Sequence, residues 1–121
     1  ALGLELGDAH VLRNAGGVIT DDVIRSLAIS QRKLGTEEIA LVHHTDCGME
    51  KITDEEFGAE LEVDAGESPP FAIESFDDVD ESVRESMRRI RSSPFLLHRE
   101  KVRGFVFDVE TGRLDEVEAR P

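Results

Sequence analysis

An α/β fold, with a mostly parallel sheet flanked by helices and an antiparallel strand at its C-terminal edge, is predicted for this chain by three features. Two short apolar runs, residues 9–12 and 39–42, bracket a stretch with helical spacing. That is the order of a βαβ unit and implies parallel strands. A second helical stripe, Val79, Val83, Met87 and Ile90, precedes an alternating run over residues 102–109. A turn signal, Glu110-Thr111-Gly112-Arg113, then returns the chain as a short edge strand at 114–117.

Each element has a local cause. The first strand, 9–12, ends at Arg13, and Asn14-Ala15-Gly16-Gly17 follows as a turn because Asn and Gly tolerate positive φ. Thr20 can cap the next helix, and Asp21 and Asp22 suit its electropositive start. Val23, Ile24, Leu27, Ala28 and Leu34 form its expected buried stripe, and Gly35 stops it. Residues 39–42 read as a buried strand, reached by a right-handed crossover. Thr53-Asp54-Glu55-Glu56 is a capping box that opens a short helix. Residues 66–71, with Pro69-Pro70, form a loop. Asp78-Val79-Asp80-Glu81 starts the helix that carries the second stripe. Arg88, Arg89 and Arg91 suit the negative end of its dipole, and Ser92-Ser93-Pro94 ends it. Phe105, Phe107 and Val109 share one face of the strand over 102–109.

Composition narrows the function classes. The 121 residues make one domain, 1–121, with room for a core. The net charge of −13 repels phosphate backbones and argues against nucleic-acid binding. No apolar run approaches the length of a membrane span. The single cysteine cannot close an internal disulfide, which fits a reducing, cytoplasmic location. G-x-G-x-x-G, the P-loop and G-x-S-x-G are all absent. The chain opens at Ala1 rather than Met, so a leader or a further segment is expected upstream.

The most informative stretch is His43-His44-Thr45-Asp46-Cys47-Gly48, directly after the second apolar run. An imidazole and a thiol three residues apart, in the turn after a buried strand, can face one metal ion, and zinc favours this mixture of donors. Open α/β sheets bind ligands at this edge. Two donors do not complete a zinc site, however, and His-x-x-Cys is a short motif. The alternative chemistry makes Cys47 a thiol nucleophile with His43 or His44 as its base. The plain reading of Cys47 is a small buried hydrophobe.

Taken together, Val11-Leu12-Arg13-Asn14-Ala15-Gly16, the helix containing Asp21-Asp22-Val23-Ile24-Arg25-Ser26-Leu27, Leu41-Val42-His43-His44-Thr45-Asp46-Cys47-Gly48-Met49 and Arg103-Gly104-Phe105-Val106-Phe107-Asp108 resemble the β-class carbonic anhydrases, in particular their small bacterial and archaeal branch. The resemblance implies a zinc ion (Zn2+) held by Cys, His and Cys, the last two falling on His44 and Cys47. It implies reversible hydration of carbon dioxide to bicarbonate by a zinc-bound hydroxide. The first cysteine, with a catalytic Asp-Arg dyad, belongs to a Cys-x-Asp-x-Arg motif that occurs nowhere in the 121 residues and is expected upstream of Ala1. The domain is therefore expected to be N-terminally incomplete, with no catalytic dyad in this chain, and inactive as it stands. Arg13 could attract bicarbonate, although a structural ion pair is the simpler reading in so acidic a chain. Gly48 could let the backbone pass close to the metal, and an ordinary helix-entry glycine explains it equally well. Asp46 reads as a turn or cap residue, and His10 and His98 carry no signal. The resemblance further implies a homodimer or a larger homo-oligomer. A non-catalytic member of the family, serving as a scaffold or sensor, is the remaining alternative.

Overall fold

The computed structural model describes residues 3, 5 and 7–118. Helix α1 (Asp21–Lys33) is followed by β1 (Ile39–His44), α2 (Asp54–Ala65), α3 (Val79–Ser92), β2 (Val102–Phe107) and β3 (Leu114–Val117). Single 3-10 turns occupy Ala15–Gly17 and Gly48–Glu50. The α/β class and the antiparallel C-terminal edge strand are as expected. The sheet is mixed, in the order β1-β2-β3, with β1 parallel to β2 and β2 antiparallel to β3.

Residues 9–12 are not a strand. Val11 is 68% exposed and Leu12 40%, and no ladder joins them to the sheet. An apolar run becomes a strand only where a neighbour takes its backbone groups, and among the described residues none does. The expected βαβ unit over 9–42 is therefore absent. The parallel pair is instead β1 with β2, and α2 and α3 lie in the connection between them.

The predicted helix starts are realised by side-chain caps. Thr20 Oγ1 accepts from Val23 N–H at 3.3 Å, and Thr53 Oγ1 from Glu56 N–H at 3.1 Å. Asp78 Oδ1 accepts from both Asp80 and Glu81 N–H. Leu34 departs from expectation. It follows the last helical residue and is 63% exposed, so the stripe of α1 ends at Ala28. The buried residues at that end are Ser30 and Gln31. Gln31 is satisfied by the backbone of residues 97 and 98: its Oε1 accepts from Leu97 and His98 N–H, and its Nε2 donates to His98 O.

The core lies between α3 and one face of the sheet. Val83, Met87 and Ile90 pack with Leu41, Val102, Val106 and Val117. Complete burial of Val83 and Ile90 contributes about 1.5–3 kcal/mol each. The face of β2 turned to α3 carries Val102, Gly104 and Val106, not the phenylalanines. Gly104 explains which face is inward, because a Cβ there would overlap Val83 Cγ1 and lie 2.9 Å from Met87 Sδ. The helix needs this notch to approach the strand. Phe105 and Phe107 take the opposite, half-buried face, and Val109 lies beyond the strand and is exposed.

Candidate functional site

Strand β1 delivers two adjacent histidines to opposite sides of the sheet, since successive side chains alternate. His43 enters the core face with 2% exposure, whereas His44 is exposed. The register pairs His43 with Val106 and His44 with Phe107, so both stand at the carboxyl end of the parallel pair.

The ring of His44 is oriented by its own loop. Its Nδ1 lies 2.8 Å from the Thr45 carbonyl oxygen. A carbonyl can only accept, so Nδ1 carries the proton and Nε2 keeps its lone pair for another partner. Thr45 ties the loop to the neighbouring strand: its N–H donates to Phe107 O at 2.9 Å, and its Oγ1 accepts from Val109 N–H at 3.1 Å. Asp46 turns the chain with φ +54°, the left-handed region. Its carboxylate meets Lys51 Nζ at 2.7 Å, and the hydrogen bond from that ammonium is the main cause that holds the Asp46 carboxyl below its ordinary range. Asp46 is thus a turn residue, as its sequence position implied.

Cys47 follows as a reduced, buried thiol with 7% exposure, at the cap position of the turn Gly48–Glu50. Glu50 N–H donates to the Cys47 carbonyl at 3.0 Å, and Lys51 N–H to that of Gly48 at 3.0 Å. A Cβ on Gly48 would meet nothing within 4 Å, and its φ is not left-handed, so neither close approach nor torsion demands glycine there.

His43 has a different environment. Its Nε2 donates to the Gly17 carbonyl at 2.8 Å, and its ring stacks on Phe76 with centroids 5.9 Å apart. Burial is the dominant cause that lowers its pKa; the Gly17 bond raises it and the neighbouring His44 lowers it further. The ring is therefore neutral near pH 7, with Nδ1 buried and unpartnered. The chain requires glycine at the other end of this bond. Gly17 has φ +64°, and a Cβ on it would fall 2.8 Å from His43 Cδ2. Gly16 is similarly closed in, since a Cβ on it would lie 3.0 Å from Met49 Cγ and 3.2 Å from Phe76 Cε1. Asn14-Ala15-Gly16-Gly17 was legible as a turn, but nothing local named His43 and Phe76 as its partners.

His44 thus closes β1, Cys47 and Gly48 open the turn that follows it, and Arg13, His10 and His98 lie elsewhere. Arg13 is exposed and makes no hydrogen bond or ion pair among the described residues. His10 is exposed on the N-terminal segment, and His98 meets α1 through its backbone. Among the described residues, no group of three or more His, Cys, Asp or Glu side chains could hold a metal ion. The donors present have the right chemistry for zinc, one imidazole lone pair and one thiol, but they are two.

A carbonic anhydrase family model matches residues 1–114. Beta-carbonic anhydrase 1 of Mycobacterium tuberculosis is 57% identical over 116 residues, covering 96% of this chain and 71% of that protein. A carbon disulfide hydrolase of an Acidianus strain is 34% identical over 139 residues, covering 94% and 68%. Among solved structures, the carbonic anhydrase of Streptococcus mutans superposes with a TM-score of 0.89 at 48% identity, covering 97% of this chain and 71% of that one. The apo form of a carbon disulfide hydrolase gives 0.82 at 33% identity, covering 97% and 70%. The chain belongs to the β-carbonic anhydrase family.

Proposed function

We propose that the complete protein catalyses the reversible hydration of carbon dioxide to bicarbonate with zinc as its cofactor, and that His44 and Cys47 supply two of the zinc donors. The observation that carries this reading is the 2.8 Å contact of His44 Nδ1 with the Thr45 carbonyl oxygen. The Nδ1 bond to Thr45 O leaves Nε2 as the donor atom, three residues before a thiol in the same tethered loop. Zinc, when bound, supplies a Lewis acid strong enough to make water nucleophilic near neutral pH.

The chain's own residues prepare that site. Thr45 fixes the tautomer of His44 through its carbonyl and anchors the loop to the end of β2 through its N–H and hydroxyl. The Asp46–Lys51 pair closes the loop on its solvent side. The third donor and the Asp-Arg dyad are assigned by resemblance to the Cys-x-Asp-x-Arg motif, which these 121 residues do not contain. The polypeptide 1–121 by itself is therefore expected to bind zinc weakly and to be inactive. Arg13 remains a candidate for drawing bicarbonate to the site and Gly48 for lining it, with neither contact yet assigned to a substrate.

The test is zinc content and carbon dioxide hydration by the full-length protein, followed by pH-indicator stopped flow. One zinc per chain and activity abolished by a chelator support the reading. Full activity in metal-free protein sinks it. The similarity to carbon disulfide hydrolases makes carbon disulfide the second substrate to assay. A cysteine nucleophile has less support, because the ring hydrogen bonds of His43 and His44 go to backbone carbonyls and none reaches Cys47. Alkylation of Cys47 with loss of a metal-independent hydrolysis would restore that alternative. We further propose a cytoplasmic homodimer. Its support is the half-open sheet face with Val42, Phe105 and Phe107, and a composition with one cysteine, which cannot close an internal disulfide. No helix among the described residues is long and apolar enough to cross a membrane.

A further inference from the structure

Two chain segments that are remote in sequence converge on the ring of His43, and a third, the Met49 turn, joins them through Gly16 and Phe76. The turn Ala15–Gly17 meets its Nε2 through the Gly17 carbonyl, and Phe76 stacks on its face. Met49, in the turn after Cys47, packs toward Gly16, and its carbonyl accepts a backbone bond from Phe76 N–H at 3.2 Å. The same turn is braced from within: Gly17 N–H donates to Asn14 O at 3.3 Å, and Asn14 Nδ2 donates to Val18 O at 2.8 Å. Among the described residues, the Gly17 carbonyl is held to the strand by His43, the residue that immediately precedes His44.

A merely structural core histidine would not need this arrangement. Burying a polar ring costs free energy that only its hydrogen bond offsets, and His43 keeps Nδ1 buried without a partner. Here the bond joins the 14–18 turn to the end of β1, next to His44, while Phe76, stacked on the same ring, bonds the Met49 turn through its N–H.

We propose that His43 is a positioning residue of this site: by donating from Nε2 to Gly17 O and stacking on Phe76, it locks the 14–18 turn and the Phe76 segment against the end of β1 and so fixes the direction of His44. The kinetic consequence rests on the carbonic anhydrase reading, whereas the structural consequence does not.

The experiment uses the full-length, zinc-loaded protein. His43→Phe keeps a ring for Phe76 but removes the donor. Hydrogen exchange of the peptide spanning residues 14–18 should accelerate about tenfold, the size expected for one hydrogen bond between neutral groups. Exchange in α3 should stay unchanged, and zinc content should stay near one per chain. The kcat/KM for carbon dioxide should fall by about tenfold, as loss of a supporting partner does at metal sites. His43→Gln, whose amide can reach the same carbonyl, should recover most of both effects. Should His43→Phe fail to fold, Gly17→Ala attacks the same contact from the other side and should accelerate exchange in the same peptide. Unchanged exchange over 14–18 in a folded variant overturns the proposal. So does a His43→Gln protein as impaired as His43→Phe. Exchange does not depend on turnover, so a wild-type protein without hydration activity overturns the functional reading alone.

Discussion

At position 44 the two ring nitrogens have separate duties, one spent on the Thr45 carbonyl and the other left with its lone pair. Cys47 contributes a sulfur that is already out of water. In the full-length protein, His44→Ala and Cys47→Ser should each lower zinc affinity by more than the roughly 10–100-fold that loss of a supporting partner costs. Competition against a chromogenic chelator measures this, and unchanged affinity in either variant removes that residue from the donor set. Gly104 poses a steric question rather than a chemical one. A methyl there would overlap Val83 and press on Met87, both buried in the core. Gly104→Ala should therefore destabilise the fold by about 1–3 kcal/mol, the usual cost of overpacking, seen as a lower Tm. A Tm equal to wild type would show that α3 can retreat freely.

Among the elements, α2 depends least on the core. It buries none of its residues, and its capping threonine and Asp54 hold its start. Asp54 accepts from both the hydroxyl and the N–H of Ser75, joining the helix to the segment before α3. The Ser75 hydroxyl bond is the larger cause that lowers the Asp54 pKa below its ordinary 3.8, and the backbone bond adds to it. The sign follows from proton linkage: as pH falls below about 3.8, the unfolded chain binds the proton first. The contribution of Asp54 is therefore complete above that value and lost as pH falls through the lowered folded one. Urea unfolding of Asp54→Asn should show a shallower loss of stability between pH 5 and pH 3 than wild type, on the order expected for one exposed carboxylate. Parallel acid limbs would refute the coupling. The helices were readable because their causes are local: caps at Thr20, Thr53 and Asp78, and a stripe at Val79, Val83, Met87 and Ile90. The first strand was not, because being a strand depends on a neighbour that 9–12 lacks.

Across the whole molecule, the sheet keeps one face against α3 and leaves the other half-open, with Phe105 and Phe107 upon it. If that face is covered by a second copy, sedimentation of the full-length protein should give a dimer, and Phe105→Glu should shift it toward monomer. A monomer at high concentration would refute the homodimer. The sequence pattern placed Phe105, Phe107 and Val109 on one face of the strand without saying which face meets the core. It could not show that a glycine, invisible to hydrophobic periodicity, marks the tighter-packed side. The donor pair His44 and Cys47 was legible as a motif, whereas the roles of the two histidines were not, since spacing alone treats neighbours alike. Their difference comes from the pairing of Leu41 with Gly104 and His43 with Val106. Odd-numbered positions of β1 point inward and even-numbered ones outward, so the site is written in parity. Deleting one residue from the start of β1 would swap the imidazoles, shutting the available nitrogen inside and exposing the fastening ring. Deleting two would shorten the strand yet preserve the assignment.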